Sequence, residues 1–359
     1  MPLNHYVTLG RSGLRVSPFC LGTMTFGEEW GWGSSEHESG EVLARYFDLG
    51  GNFVDTANFY TKGHSEKILG DLVGSRPHLR QRVVLATKFF SNLHPGDPNG
   101  GGCNAKAIHA QLAESLRRLR TDHVDLYWMH AWDRFTPIEE TMRALDDVVR
   151  AGKVRYVGFS DTPAWKVAQA QTMALLRGWS PLVALQIEYS LLERTVEADL
   201  VPCALELGLG VTPWSPLKSG VLSGKYVRGQ KANPARGEWV SSALTPRAFD
   251  VLDVLVRVAA ETGSTPARTA LAWVQGRPGV SSTILGARTV AQLDDNLGAL
   301  DVVLTPAQRA ALDEASRPVL PFPHAFLAFA DAIANGGTTV GGEAFPVLPN
   351  APASDGEIY

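Results

Sequence analysis

The sequence predicts an α/β fold, a (β/α)8 TIM barrel preceded by a β-hairpin and followed by a long C-terminal tail. Short β-rich runs recur eight times along the chain, and stretches with the 3.6-residue periodicity of an amphipathic helix alternate with them. Such alternation indicates a parallel sheet covered by helices. Closure into a barrel is favoured because it removes edge strands, and because residues 21–27 lack the G-x-G-x-x-G turn of an open dinucleotide-binding sheet.

Each element has its own local signal. Strand-like residues 5–9 and 14–16 flank a turn with Gly10 and Gly13, which predicts the hairpin. The predicted barrel strands are residues 19–22, 52–55, 83–88, 124–129, 154–159, 182–186, 209–214 and 281–285. The predicted helices are residues 35–49, 64–72, 105–119, 138–150, 163–177, 196–207, 265–275 and 290–300. Two of them begin with a capping side chain before Pro163 or Pro266, where the first turn tolerates proline.

The barrel accounts for residues 1–316 of the 359-residue chain, a length that one barrel domain commonly reaches. Residues 317–359 form the tail, which is rich in aromatic side chains. Two interpretations of the tail stay open: it lies over the substrate pocket, because long segments in compact domains often carry function, or its last residues, 348–359, are a frayed terminus.

Composition excludes several classes of function. A formal net charge of -4 gives no electrostatic case for binding nucleic acid or an anionic membrane. The three cysteines, Cys20, Cys103 and Cys203, are far apart in sequence and suggest neither a disulfide framework nor a zinc site. The first ten residues lack the features of a signal peptide, and no run approaches 18 apolar residues. We therefore expect a cytoplasmic enzyme without a metal ion.

Four ionisable side chains lie at or just beyond the carboxyl ends of the second, third and fourth predicted strands. They are Asp55, Tyr60, Lys88 and His130. Each one alone has an ordinary structural explanation, as a turn, surface or core residue. Because the carboxyl ends of all barrel strands converge on one face, we expect the four to meet around one pocket.

This set of side chains suits the reduction of a carbonyl group. Hydride arriving at the carbon leaves negative charge on the oxygen, which then needs a proton or fixed donors. A phenol is a weak acid with a reference pKa of about 10, and a neighbouring ammonium lowers that pKa. Lys88 could do this for Tyr60 while Asp55 holds Lys88, and His130 could donate a hydrogen bond to the carbonyl.

Several ordered motifs also resemble a known family. They include Asp55 to Tyr60 with Gly63-His-Ser-Glu66, Ala86-Thr-Lys88, Tyr127-Trp-Met-His130, and later runs around Ser160, Trp214 and Arg288. Together they span roughly residues 6–316 and resemble the aldo-keto reductase superfamily, closest to the branch with aryl-aldehyde-type reductases and potassium-channel β subunits. The resemblance implies that Asp55, Tyr60, Lys88 and His130 form a catalytic tetrad and that NADPH is the cofactor.

The same resemblance implies a set of cofactor-binding residues. At the nicotinamide and pyrophosphate it implies Gly22, Thr23, Ser160, Asp161, Gln186, Trp214, Ser215, Leu217, Gly220, Leu222 and Lys225, and at the adenosine Gly286, Arg288, Gln292, Asp295 and Asn296. Arg288 precedes a helix and suits the 2′-phosphate of NADPH, although a solvated arginine is the ordinary alternative. Arg236 is a candidate second phosphate contact. The sequence departs from the family at Asp161, where asparagine is common, and at Thr61, where glycine is common.

The predicted substrate pocket is aromatic. Its candidate residues follow the ends of strands one to four and are Trp30, Trp32, Phe59, Phe90 and Trp132. The predicted function is therefore NADPH-dependent reduction of aldehydes or ketones, with Tyr60 as proton donor. Two alternatives remain at this point: an NADPH-binding regulatory subunit with little turnover, and a reductase of keto-sugar nucleotides. The sequence does not give the oligomeric state.

Overall fold

The protein folds into the (β/α)8 barrel that the sequence predicts. The structure is a computed structural model that describes residues 2–226, 228–229 and 238–358. The N-terminal hairpin pairs β1 (Val7–Thr8) with β2 (Arg15–Val16). The parallel barrel strands are β3 Phe19–Gly22, β4 Phe53–Asp55, β5 Val84–Phe89, β6 Val124–Met129, β7 Val154–Ser160, β8 Leu182–Glu188, β9 Gly210–Trp214 and β10 Thr283–Gly286. Arg236, the candidate second phosphate contact, lies outside the described residues.

Strand order follows the chain around the barrel, with β10 beside β3 and each later strand beside its predecessor. The remaining seam, between β9 and β10, is joined through Val211. Its amide donates to the Gly279 carbonyl at 2.8 Å, and its carbonyl accepts from the Ser281 amide at 2.9 Å. The barrel is therefore nearly closed, with one thin seam.

Helices cover the outside of the barrel. They are α1 Glu36–Asp48, α2 His64–Leu69, α3 Pro77–Arg80, α4 Ala105–Leu119, α5 Ile138–Arg150, α6 Ala164–Arg177, α7 Leu200–Leu207, α8 Glu238–Ala243, α9 Pro246–Glu261, α10 Pro266–Gln275, α11 Val290–Leu297 and α12 Pro306–Ala315. The helix predicted over residues 64–72 ends at Leu69 and continues as a wider turn to Gly74. A β-carbon on Gly70 or Gly74 would come within 2.1 or 1.8 Å of the backbone at the end of α4, so this turn packs directly on that backbone.

Side-chain alternation along the strands determines what faces the barrel interior. A separate buried cluster contains Leu126 and Trp128 of β6, Val84 and Ala86 of β5, and Leu9 and Val16 from the hairpin. The residues between them, such as Tyr127, belong to the larger core beneath the helices. Lys88 continues the inward series of β5 and His130 that of β6, so alternation alone turns both toward the barrel axis.

The chain divides into two compact units, residues 1–317 and 318–359. The second unit contains helix α13 (His324–Asn335) and a small hairpin of β11 (Thr339–Val340) and β12 (Glu343–Ala344). Within the described ranges, no helix has the length and apolar character needed to cross a bilayer. The same residues include no group of three or more His, Cys, Asp or Glu side chains placed to hold a metal ion.

Candidate active site

The four predicted catalytic side chains meet at the carboxyl ends of β4, β5 and β6. The Lys88 ammonium donates to the Asp55 carboxylate, to the Thr56 carbonyl at 2.9 Å and to the Tyr60 hydroxyl at 3.1 Å. The Tyr60 and His130 rings lie with centroids 5.8 Å apart, edge to face. Lys88 is fully buried and Asp55 is 2% exposed. The register explains the meeting, because Asp55 pairs with Ala86 and Lys88 with Trp128, on neighbouring parallel strands.

Burial and neighbouring charges shift the pKa values of Lys88 and Tyr60 in opposite directions. Burial alone would lower the pKa of Lys88, but the Asp55 carboxylate beside it raises that pKa above its ordinary value, so Lys88 is an ammonium. Burial raises the pKa of Tyr60 above 10, and the Lys88 ammonium only partly opposes this. The sequence argument considered the ammonium and not the burial. Tyr60 therefore holds its proton at neutral pH, with a cation in place to stabilise the phenolate.

His130 is a neutral imidazole in this environment. Burial, and then the Lys88 ammonium, hold its pKa well below 6.5. Its Nδ1 is buried and has no hydrogen-bond partner among the described residues. A buried polar atom of this kind calls for an explanation, and an incoming ligand is one.

An aromatic wall adjoins the Tyr60 ring. The Trp30 ring lies 5.6 Å from the rings of both Trp32 and Phe59, and 6.4 Å from Tyr60. The Phe59 ring also lies 5.3 Å from the Tyr60 and His130 rings. Three of the five predicted substrate residues therefore form one continuous cluster with the proposed proton donor.

The other two predicted substrate residues lie in different surroundings. Phe90 has φ +123° and packs partly buried against the core beneath the helices, with its amide donating to Gln111 at 2.9 Å. Trp132 packs edge to face on Trp165, with centroids 5.5 Å apart. Sequence reasoning missed Trp165, which lies beyond the end of β7 and is 60% exposed. Neither Phe90 nor Trp132 has a ring contact with the Tyr60 cluster among the described residues.

The predicted nicotinamide residues lie at the ends of β7, β8 and β9. Ser160 pairs with Gln186 in the strand register, and the Gln186 amide donates to Asp55 at 3.2 Å. The Ser160 hydroxyl is buried without a partner among the described residues. Trp214 donates from its indole to Asp161 at 3.0 Å. A buried free hydroxyl beside a carboxylate and an amide fits the carboxamide of a nicotinamide, which both donates and accepts hydrogen bonds.

Asp161 combines two properties. Its side chain is exposed, although neighbouring protein atoms partly desolvate the carboxyl group. This desolvation raises its pKa to about 6, although the hydrogen bond from Trp214 opposes the shift. Its φ of +42° is left-handed, a conformation that short polar side chains tolerate best.

The predicted pyrophosphate residues follow β9 in a turn with repeated left-handed backbone. Ser215, Lys218, Ser219 and Gly220 all have positive φ. A β-carbon on Gly220 would lie 3.3 Å from the Lys225 ammonium, so that ammonium approaches the bare backbone. Leu217 is partly buried and Leu222 fully buried, so both pack on the core. Turns of this kind direct successive amides to one side and can hold an anion.

The predicted adenosine residues surround the start of α11. Arg288 is exposed, and among the described residues its guanidinium takes part in no ion pair. Its amide donates to Gln292 at 3.0 Å, and Asn296 donates to the Gly286 carbonyl at 3.4 Å. Asp295, by contrast, pairs with Arg268 at 2.8 Å.

Gly22 and Thr23 lie at the end of β3. Gly22 pairs with both Asp55 and Gly286 across the sheet. The buried Thr23 hydroxyl bonds to the Asp55 carbonyl at 3.1 Å and to the Ser65 hydroxyl at 2.9 Å. Its side chain therefore supports the Asp55 strand end from within the protein.

Comparison with known proteins agrees with this geometry. A model of the Aldo/keto reductase family matches residues 18–317. An uncharacterized oxidoreductase of Bacillus subtilis is 40% identical over 308 residues, covering 83% of this chain and 92% of the relative. Norsolorinic acid reductase B of Dothistroma septosporum is 35% identical, covering 90% and 84%. An NADP(+) aryl-alcohol dehydrogenase of Phanerodontia chrysosporium is 32% identical, covering 88% and 85%. On its barrel, its strand-end cluster and these matches, the chain belongs to the aldo/keto reductase family of oxidoreductases.

Proposed function

We propose that this protein reduces aromatic aldehydes or ketones to alcohols with NADPH, and that Tyr60 is the proton donor. One observation carries the proposal: the Lys88 ammonium lies between the Asp55 carboxylate and the Tyr60 hydroxyl, 3.1 Å from the latter, beside a buried neutral His130. The aromatic wall of Trp30, Trp32 and Phe59 supports a flat substrate. The names of the relatives, among them aryl-alcohol and norsolorinic acid enzymes, support the same class.

The protein's own groups have separate tasks in this reaction. NADPH, which Gln186, Ser160 and Trp214 would hold at its nicotinamide end, would supply the hydride for the carbonyl carbon. His130 donates a hydrogen bond to the carbonyl oxygen and fixes its direction. Tyr60 transfers its proton to that oxygen, which completes the alcohol. The phenolate left on Tyr60 is stabilised by Lys88, and Asp55 keeps Lys88 charged and oriented.

Replacement of Tyr60 tests the proposal. Tyr60→Phe removes only the hydroxyl, and we expect kcat/KM for an aromatic aldehyde to fall by about 10²- to 10⁴-fold. NADPH oxidation followed at saturating cofactor measures this. Tyr6→Phe is a matched control, because the Tyr6 hydroxyl bonds to the Gly50 carbonyl in a different part of the chain. A Tyr60→Phe enzyme as fast as wild type would remove the mechanism, and tight NADPH binding without any turnover would favour a regulatory subunit.

Arg288 supports the choice of NADPH over NADH, because it is an exposed guanidinium at a helix start. We expect Arg288→Gln to weaken NADPH binding by about 10- to 100-fold, the loss of one charge-assisted contact. NADH binding should hardly change. Titration of the intrinsic fluorescence with each nucleotide measures both affinities, and equal losses for the two would contradict the assignment.

A further inference from the structure

The loop that carries Trp30 and Trp32 is a closed structure with a narrow neck. We define the aromatic loop as residues 26–34. Phe26 and Ser34 form a β-bridge, and the Gly27 amide donates to the Ser34 carbonyl at 2.9 Å. The Ser34 hydroxyl donates to the Arg288 carbonyl at 3.1 Å, so the neck is fixed to the end of β10. The tip, with Trp30, lies on the Phe59 and Tyr60 rings.

Thr61 fastens this neck from the side of Tyr60. It is fully buried and left-handed, with φ +47° and ψ +43°, a conformation that a β-branched residue rarely adopts and glycine adopts freely. Its hydroxyl donates to the Phe26 carbonyl at 2.8 Å and accepts from the Ser65 amide at 3.0 Å. Glycine would relieve the strain but would provide no hydroxyl, so the strained residue has a contact that glycine lacks.

His64 provides a second fastening, nearer the tip. Its Nδ1 contacts the carboxylate of Glu29, the neighbour of Trp30. Its Nε2 lies 2.8 Å from the carboxylate of Glu36, the first residue of α1. The imidazole therefore bridges the aromatic loop and the start of α1 from the first turn of α2. The five-residue segment 60–64 includes Tyr60, Thr61 and His64. The segment that positions the proton donor therefore also holds the loop.

We propose that Thr61 and His64 are positioning residues that hold the aromatic loop against the Tyr60 ring, and that this gives the site its preference for flat aromatic carbonyl substrates. The proposal rests on the proposed function for its substrate class. An aromatic substrate stacked on a wall that is fixed relative to Tyr60 presents its carbonyl at a fixed distance from the hydroxyl, and orientation of this kind raises the rate. A small aliphatic aldehyde, which cannot stack on the wall, gains little from the fastening.

Thr61 variants test the first fastening. Thr61→Val keeps the side-chain shape and removes the hydroxyl, whereas Thr61→Ser keeps the hydroxyl. With a substituted benzaldehyde and butanal as probes, we expect Thr61→Val to lower the aromatic-to-aliphatic ratio of kcat/KM about tenfold, mainly through kcat for the benzaldehyde. Thr61→Ser should stay close to wild type. Equal losses on both probes would show a merely structural role and overturn the proposal for Thr61.

His64→Ala tests the second fastening and carries the proposal if Thr61→Val fails to fold. We expect the aromatic-to-aliphatic ratio of kcat/KM to fall in this variant too, but only about threefold, because the Thr61 contact remains. Hydrogen exchange followed by mass spectrometry gives a readout without turnover. Exchange in a peptide covering residues 26–34 should rise in both variants, and in Thr61→Ser it should not.

The two readouts separate failure of the positioning role from failure of the proposed function. A wild-type protein that reduces no carbonyl substrate, but whose loop exchange rises in Thr61→Val and His64→Ala, would refute the function and leave the fastening intact. Unchanged exchange in both variants would refute the positioning role, whatever the protein turns over.

Discussion

Two ion pairs at opposite ends of the barrel differ in what their cations contact. At the amino end, Arg80 donates to Asp125 at 2.8 Å, to the Val83 and His123 carbonyls, and to the Thr121 hydroxyl, so all three guanidinium nitrogens have protein acceptors. At the carboxyl end, Lys88 has the Asp55 carboxylate and one carbonyl, and its third contact is the Tyr60 hydroxyl.

Two buried polar atoms near the Lys88 pair have no partner among the described residues. They are the His130 Nδ1 and the Ser160 hydroxyl oxygen. Leaving such atoms unpaired costs free energy, so a fold tolerates them where a ligand will pair with them. The amino-end cation contacts only structural partners, whereas the carboxyl-end cation contacts the proton donor of the proposed reaction, as expected if the carboxyl end of the barrel carries the chemistry.

Lys88→Met should have the largest effect and tests the carboxyl-end pair. It leaves Asp55 buried and unpaired, so we expect the free energy of unfolding at neutral pH to fall by about 3–5 kcal/mol. We expect kcat/KM to fall by about 10²- to 10⁴-fold, because the phenolate loses its cation. Burial raises the pKa of Asp55, so the stability loss should shrink as pH falls and Asp55 takes up a proton. Chemical denaturation at several pH values and steady-state kinetics measure these quantities.

Arg80→Met is the matched change at the amino end. It breaks a pair in which Arg80 is buried but Asp125 is 19% exposed, so we expect a stability loss at the low end of about 3–5 kcal/mol. Turnover should stay within about twofold of wild type at a temperature where the variant is folded, since that end of a barrel serves stability. Equal losses of activity in Lys88→Met and Arg80→Met would contradict the assignment of stability to the amino end and chemistry to the carboxyl end.

His130 should have an intermediate effect. Because burial and Lys88 hold its pKa well below 6.5, its neutral form persists across the working range. We expect a kcat/KM profile without an imidazole titration between roughly pH 6 and 8. Its contribution to stability is present above the ordinary pKa and is lost as pH falls through the lowered pKa.

His130→Ala should reduce kcat by about 10²- to 10³-fold, the cost of one donor to the carbonyl oxygen. A pH-rate profile with a break near 6.5 that His130→Ala abolishes would contradict this assignment.

Asp161 should have the smallest effect. Its pKa of about 6 means that it ionises between mildly acidic and neutral pH. On the proposed function, the carboxylate attracts the positive ring of NADP+, so we expect NADP+ affinity to rise about threefold as pH increases through 6. Since burial disfavours the charged form, the contribution of Asp161 to stability is fully present below the ordinary pKa and is lost as pH rises through about 6. Asp161→Asn should flatten both profiles, as measured by nucleotide titration and thermal unfolding, and unchanged profiles would rule the role out.

Local pattern was enough to predict the barrel and the meeting of the four side chains proposed as catalytic. Parallel strand ends converge on one face, so Asp55, Lys88 and His130 could be placed together from their positions alone. Helix α9 was missed although Thr245 and Pro246 give the same start signal as Thr265 and Pro266 at α10. That signal was available in the sequence.

Contacts between distant segments could not be predicted in this way. Thr61 was visible only as a departure from glycine, because its acceptor, the Phe26 carbonyl, is 35 residues away. Trp132 was assigned to the substrate pocket by position, while its ring contact with Trp165 depends on how the segment after β6 packs on the first turn of α6. The direction of the Tyr60 pKa depends on burial, which no sequence spacing reports.

The seam at Val211 has a consequence for where the barrel opens in thermal fluctuations. Neighbouring barrel strands elsewhere share between two and five registered pairs, whereas the seam between β9 and β10 has one bridge among the described residues, from Val211 to Val280 just before β10. We expect thermal opening to begin there, splaying the edge that carries Trp214 away from the edge that carries Gly286. A dinucleotide that contacts both edges would hold them together. Amide hydrogen exchange at Val211 and Ser281 should therefore slow when the dinucleotide binds.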